Sequence, residues 1–180
     1  ATHAAWSARL ELAESLSGYF FRDLNNDGQS EFFVEADQQS LIFNQHDDRV
    51  WEPLPFTLPP GAVRFTSEGG DAGLRFVDVD QDGFDDCLFS NGEQYSLHLF
   101  HNMQVGWSTE VISKVRRQTT DSEDRLTLPP IVRPDGSNNG ACFHSGQLCL
   151  QNEDTNRLPD LVERQSFRNM LAQSSTLGVK

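Results

Sequence analysis

The chain lacks the sequence signatures of the common nucleotide-binding, protease and hydrolase sites. No GxGxxG, P-loop, HExxH, GxSxG or CxxC pattern occurs in its 180 residues, so the reactions that depend on those motifs are not predicted. No apolar run approaches the roughly 20 residues that cross a bilayer, and no signal peptide is recognisable at the N-terminus. We therefore predict no membrane span, no catalysis by this chain alone, and a mature form or a fragment of a longer protein.

Cationic residues are also scarce. The chain has 14 Lys and Arg against 27 Asp and Glu, which gives a formal net charge of −13. Nucleic-acid binding depends on Lys and Arg at the phosphates, so nucleic acid is not predicted as a partner. Apolar residues make up 37% of the chain and include 13 Phe and 3 Trp. This composition suffices for one domain with a core of large side chains.

Two acidic loops follow one template, D-x-[DN]-x-D-G-x-x-[DE]. They span residues 23–31 and 78–86. A third segment, residues 152–160, keeps the oxygen-bearing positions but has Arg157 in place of the glycine. The predicted ligands are positions 1, 3, 5, 7 and 9 of each segment: Asp23, Asn25, Asp27, Gln29 and Glu31; Asp78, Asp80, Asp82, Phe84 and Asp86; Asn152, Asp154, Asn156, Leu158 and Asp160.

Such a spacing predicts a calcium site. Calcium takes six to eight oxygen ligands and tolerates irregular geometry, and alternate residues of a tight loop direct their oxygens into one concavity. Glycine at position 6 allows the backbone to turn with positive φ. Position 7 offers its backbone carbonyl, and position 9 closes the site and starts the next strand. An EF-hand would need a bidentate Glu at position 12 between two helices, but Val34 and Phe89 stand there.

The alternative interpretation is an acidic surface turn without a metal. It is disfavoured in the second loop, where four carboxylates would repel each other without a cation. It stays open for the third segment, which has two carboxylates and in which Arg157 could bridge Asp154 and Asp160. We therefore predict Ca²⁺ in two loops and leave the third undecided.

The loops belong to a repeat of about 55 residues. A short apolar strand precedes each of the first two loops, another follows it, and Trp51 and Trp107 recur 56 positions apart. Four short strands in such a length match a β-propeller blade, whereas helical periodicity is weak. We predict an all-β, β-propeller-like fold with about three four-stranded blade units, of which the terminal ones are partial.

The repeat predicts one propeller-like region, residues 1–180, divided into segments. They are a blade end at 6–16, a blade at 18–58, a blade at 73–113, an irregular connection at 113–140, a partial blade at 141–163, and a C-terminal tail or short helix at 164–180. Because an ordinary closed propeller has four to eight blades, we expect a segment of a larger propeller.

The loops and the blade layout resemble FG-GAP/VCBS-type repeats, which form the blades of integrin α-subunit propellers and of many bacterial secreted proteins. The resemblance covers about residues 6–163 and implies structural calcium and a secreted, periplasmic or cell-surface location. A fainter resemblance is to a propeller segment of large exported haem-binding proteins of the Planctomycetes–Verrucomicrobia group. It is carried by residues 71–78, 138–140, 151–155 and 158–162. Those proteins contain CxxCH, which this chain lacks, so no haem site is carried over.

Cys142 and Cys149 flank a predicted two-residue turn at Ser145-Gly146, which places them directly opposite each other. A disulfide there would suit an oxidising compartment. In this register they are a hydrogen-bonded pair with Cα atoms about 5.5 Å apart, and two small buried hydrophobic residues are the alternative. Cys87 is predicted to lie in the core.

Other candidate sites are weaker. His98 and His101 stand three residues apart on a predicted strand, hence on opposite faces, so no joint site is predicted. The neighbours Asp85 and Asp86 could suggest glycosidase chemistry, but Asp86 already has a metal role. The recurring Trp residues, Trp6 included, predict core packing, with an aromatic platform for glycan as the alternative.

These observations predict a calcium-stabilised exported binding or scaffold module. Its partner would be another protein chain or the rest of a larger polypeptide, with glycan as an alternative. Two other functions stay open. The chain could be the non-catalytic propeller part of a multidomain enzyme, either a haem-linked oxidoreductase or a polysaccharide-degrading enzyme, or an assembly subunit completed by another chain.

Overall fold

A computed structural model describes residues 16–36, 39–45, 51–116 and 126–176. They form three antiparallel β-sheets and one α-helix, so the predicted all-β class is confirmed. The predicted blade end at 6–16, with Trp6, lies outside the described residues except for Leu16. The described residues include no helix with the length and hydropathy that a bilayer span requires.

The first two sheets have the same topology. Each contains four strands in chain order, joined by hairpins. The first sheet consists of β1 (Leu16–Arg22), β2 (Glu31–Ala36), β3 (Gln39–Gln45) and β4 (Trp51–Pro53). The second consists of β5 (Leu74–Val77), β6 (Asp86–Ser90), β7 (Gln94–Leu99) and β8 (Thr109–Val115). The 55-residue repeat thus corresponds to one sheet.

The third sheet has three strands in the order β11-β10-β9. They are β9 (Ala141–His144), β10 (Gln147–Leu150) and β11 (Glu163–Ser166). The single α-helix, α1 (Phe167–Thr176), follows β11 directly. Its Phe167 and Met170 are buried in the same cluster as Leu148 and Leu150 of β10, and the ring of Phe167 stacks on that of Phe143 in β9, so the helix covers the side of this sheet that faces the core.

Two apolar clusters hold the sheets together. One joins the first sheet to the second and includes Phe33 and Ile42 on one side and Leu74 and Phe89 on the other, all with at most 2% exposure. Phe76 bridges the two sheets, because its ring lies 5.6 Å from that of Phe33. The other cluster joins the second sheet to the third. The acidic loops therefore stand at the ends of strands whose positions are fixed by burial.

The segment after β8 contributes to the core although it has no strand in its described part. Leu126, Leu128 and Ile131 are buried in the cluster between the second and third sheets. Arg116, which ends the preceding described stretch, donates hydrogen bonds to the carbonyl of Leu128 (2.5 Å) and to Ser90 (2.7 Å). The described part of the irregular connection is thus a packed element of the domain.

Candidate metal sites

The first acidic loop joins β1 to β2 and folds around its own carboxylates. Asp23 accepts hydrogen bonds from the amides of Asp27 (3.2 Å) and Gly28 (2.9 Å). Asp27 accepts from the amide of Gln29 at 2.8 Å. Gly28 has φ = 87°, a conformation that strains any residue with a Cβ. The loop is thus wound tightly around the carboxylate of Asp23.

The second loop, between β5 and β6, has the same conformation. Asp78 accepts from the amides of Asp82 and Gly83, each at 3.1 Å, and Asp82 accepts from that of Phe84 at 2.9 Å. Gly83 has φ = 92°. Position 4 is also left-handed in both loops, at Asn26 (φ = 55°) and Gln81 (φ = 65°). The template did not reveal this second left-handed residue, because Asn commonly adopts positive φ but Gln does not.

Position 9 is the buried end of each loop. Glu31 and Asp86 are the first residues of β2 and β6 and have no exposed surface. Asp86 accepts from the amides of Val79 and Phe100, each at 2.8 Å. Glu31 accepts from the amide of Leu24 at 2.8 Å through Oε2, but its buried Oε1 accepts no hydrogen bond from any described residue. A buried carboxylate oxygen without a donor is costly, and a cation would satisfy it.

The electrostatics of both loops disfavour the ionised state without a cation. Burial raises the pKa of Asp86 to about 7, and the neighbouring carboxylates of Asp80 and Asp82 add to the rise. Burial likewise raises the pKa of Glu31. Partial desolvation and the neighbouring Asp82 carboxylate raise the pKa of Asp80, although its side chain is exposed. The two buried carboxylates, Glu31 and Asp86, therefore cost free energy when ionised unless positive charge is supplied.

The second loop brings three carboxylates together most closely. One oxygen each of Asp78, Asp80 and Asp86 lie within 4.8 Å of one another. These positions are 1, 3 and 9 of the template, so the structure assembles predicted ligands that are up to eight residues apart in sequence. An all-oxygen set of this kind suits a hard divalent cation.

The two loops also contact each other directly. Arg22, the last residue of β1, pairs with Asp85 at position 8 of the second loop. Asn26 donates a hydrogen bond to the carbonyl of Gly83. Asp85 is half-buried, and its backbone carbonyl accepts from the indole of Trp107 at 3.0 Å. The template could not show these contacts, because they depend on how the first sheet packs on the second.

The third segment has a different backbone. Residues Glu153–Arg157 form a 3-10 helix that Asn152 caps through its side chain, which accepts from the amide of Asp154 at 3.0 Å. Asp160 pairs with Arg164 rather than with Arg157. Asn156 lies within the 3-10 helix, and Leu158 is its C-terminal cap. The loop conformation shared by the first two segments is therefore absent from residues 152–160.

The remaining candidates also have defined places. Cys142 lies opposite Cys149 as the predicted register requires, and both are free thiols. Cys87 is completely buried, as predicted. His98 is buried opposite Cys87, and burial lowers the pKa of its imidazole. His101 is exposed, so the two histidines do not form one site.

Comparison of the chain with protein-family models, with curated proteins and with solved structures finds no match.

Proposed function

We propose that the first two acidic loops bind calcium and that the chain is a calcium-stabilised, β-propeller-like binding or scaffold module of an exported protein. The observation that carries this proposal is the shared loop conformation. Two segments 55 residues apart form the same left-handed turn around their first carboxylate and end on a fully buried acid. Burying an ionised carboxylate costs free energy unless a positive charge compensates it. The recurrence of a buried acid at both positions therefore favours a bound cation.

The donors of the two loops fit calcium. They are carboxylate, amide and backbone oxygens, with no nitrogen or sulfur ligand in the template, and this favours calcium over zinc. Calcium would supply the positive charge that Glu31 and Asp86 lack, and magnesium would demand a stricter octahedral arrangement. Residues at positions 1 and 5 would stay bound to backbone amides and keep the turn wound.

The proposed role of calcium is structural. Each loop connects the first two strands of its sheet, and each position-9 carboxylate begins the second of these strands. A cation held there would fix the turn and the strand end together. At a free calcium concentration of about 100 times the Kd of a site, binding would stabilise the fold by about 2.7 kcal/mol.

Thermal unfolding tests this role. We expect the melting temperature to fall when EDTA replaces calcium, and Asp82→Ala to reproduce part of the fall, since Asp82 is position 5 of the second loop. Glu68→Ala, at an exposed acid outside the loops, is the matched control and should keep the full calcium response. Identical melting curves of the wild-type protein in calcium and in EDTA would remove the calcium proposal.

The proposed binding surface is an aromatic face on the first sheet, made of Tyr19, Phe21, Phe32 and Trp51. Phe32 is its centre, with ring centroids at 4.9 Å from Phe21, 5.7 Å from Trp51 and 6.2 Å from Tyr19. Tyr19 is 63% and Phe21 55% exposed. Exposed aromatic side chains that contact one another in this way are typical of an interaction site.

The repeat indicates what covers this face. Its equivalents in the second sheet, 55 or 56 positions later, are Leu74, Phe76, Cys87 and Trp107. All four belong to the cluster between the two sheets, where Phe20 and Phe33 of the first sheet cover Phe76. We propose that the aromatic face is covered in the same way, by the apolar face of a further sheet from another chain or from the rest of a larger polypeptide.

Self-association of the isolated chain tests the aromatic face. Without its covering sheet, the chain should associate reversibly at high concentration, and Tyr19→Lys with Phe21→Lys should make it monomeric in sedimentation velocity. Val115→Lys changes another exposed apolar residue (70% exposed) and should leave the association unchanged. A strictly monomeric wild-type chain, or a face that binds soluble oligosaccharides instead, would contradict the proposed partner.

A further inference from the structure

The β9–β10 hairpin holds two cysteines in a fixed register. Its turn residues Ser145 and Gly146 are both left-handed, with φ of 50° and 70°, which is the type I′ turn that matches the twist of a two-residue hairpin. His144 therefore pairs with Gln147, and two residues further along Cys142 pairs with Cys149. A one-residue slip would turn Leu148 out of the core, so this pairing is secured by burial.

Both thiols lie on the side of the hairpin away from the core. Leu148 and Leu150, on the other side, are buried, whereas Cys142 is exposed and Cys149 is half-buried. Directly opposed, hydrogen-bonded strand residues have Cα atoms about 5.5 Å apart, a separation within the range that disulfides span. The observed pairing thus places the two cysteines at positions that a disulfide can join.

We propose that Cys142 and Cys149 are a reversible dithiol–disulfide pair that exchanges with small-molecule disulfides. The thiolate of Cys142 attacks one sulfur of a disulfide such as oxidised glutathione, and the other glutathione leaves with the electron pair of the broken S–S bond and takes up a proton. The Cys149 thiolate then attacks the sulfur of Cys142 and releases the second glutathione. Two protein thiols are oxidised and one external disulfide is reduced to two thiols.

The order of attack follows from the surroundings of the two sulfurs. Cys142 is the one that a reagent in solution reaches. Burial raises the pKa of the Cys149 thiol, and the neighbouring Cys142 raises it further, so Cys149 is less often ionised and acts second. The resulting disulfide would lie on the exposed side of the hairpin, where reducing thiols can reopen it. Cys87 is fully buried on β6 and takes no part.

Thiol counting in glutathione redox buffers tests the pair. The reduced protein is equilibrated with mixtures of oxidised and reduced glutathione, quenched with acid, unfolded, alkylated and analysed by mass spectrometry. We expect excess oxidised glutathione to remove two of the three alkylatable thiols, with a 142–149 linkage inside one chain, and excess reduced glutathione to restore both. Neither step should require calcium.

Two variants make the result specific. Cys87→Ser should keep the full two-thiol change, whereas Cys142→Ser should abolish the linkage and leave Cys149 alkylatable. Circular dichroism checks that both variants are folded. The proposal is overturned if both thiols stay alkylatable at every ratio. It is equally overturned if glutathione stays attached to Cys142 without consuming Cys149, or if the linkage forms only between chains.

Discussion

At the residue scale, the candidate metal sites depend on two kinds of position. The first is the glycine at position 6, where the backbone is left-handed. The second is the carboxylate at position 9, which is buried where a strand begins. Glu31 and Asp86 have no exposed surface, yet one oxygen of Glu31 accepts no hydrogen bond from the described residues. The two positions have different consequences for stability, one through backbone strain and one through charge.

Replacing the glycine at position 6 should strain the backbone without causing a steric clash. A Cβ added to Gly83 would meet no atom within 4 Å, but its φ is 92°. Gly83→Ala should therefore lower the free energy of unfolding by about 1–2 kcal/mol. Gly92 has equally open surroundings without a positive φ, so Gly92→Ala should be neutral or slightly stabilising. Equal effects of the two substitutions in urea unfolding would show that the left-handed turn does not matter.

The buried carboxylate at position 9 should make the stabilisation by calcium depend on pH. The folded-state pKa of Asp86, about 7, lies above its ordinary value of 3.8. The stability that its protonated form contributes is thus lost as pH rises from about 4 through about 7, and calcium needs the ionised form. The rise in melting temperature that calcium causes should be larger at about pH 8 than at about pH 5.5. A rise of equal size at both pH values, measured by calorimetry, would exclude competition between proton and metal.

Much of this residue-scale account could be predicted from the sequence, because the loop template is local. The position-9 residues were expected to start the next strand, and Glu31 and Asp86 do so. The pairing of Arg22 with Asp85 could not be predicted. It joins residues 63 positions apart, and only the packing of the first sheet on the second brings them together.

At the element scale, the β9–β10 hairpin could be predicted from its turn residues, whereas the conformations of residues 126–132 and 152–160 could not. The predicted two-residue turn at Ser145-Gly146 is confirmed by the observed register. It could be predicted because a Ser-Gly pair between two apolar runs allows few registers. The segment 126–132 gave no periodic signal, yet several of its side chains are buried. Residues 152–160 share oxygen-bearing side chains with the acidic loops, but without the glycine they form a 3-10 helix instead.

The buried part of the connection should behave as core in mutagenesis. Leu128 has no exposed surface and contacts the cluster between the second and third sheets. Leu128→Ala should therefore cost about 2–5 kcal/mol in the free energy of unfolding. Thr127 is its exposed neighbour, and Thr127→Ala should change stability by less than about 0.5 kcal/mol. A small effect at both positions in denaturant titrations would mean that the segment is not part of the core.

At the scale of the whole molecule, one structural unit occurs twice in full. The first and second sheets share strand order and loop conformation, and one apolar cluster joins them. The third sheet has three strands, and α1 contributes Phe167 and Met170 to the cluster between the second and third sheets. The sequence repeat predicted the two complete units because loop and strand patterns recur together. It could not predict that Tyr19 and Phe21 of the first sheet stay exposed while their equivalents in the second sheet pack at the interface between the sheets, because that depends on which sheets are neighbours.

Calcium titration of the metal-free chain by isothermal titration calorimetry tests the central claim most directly. The wild-type protein should bind two calcium ions, Asp23→Ala and Asp78→Ala one each, and the double variant none. A residual ion in the double variant would show that calcium also binds outside these two loops and would contradict the predicted count of two. A wild-type chain that binds no calcium, or a double variant that binds as the wild type does, would contradict the account.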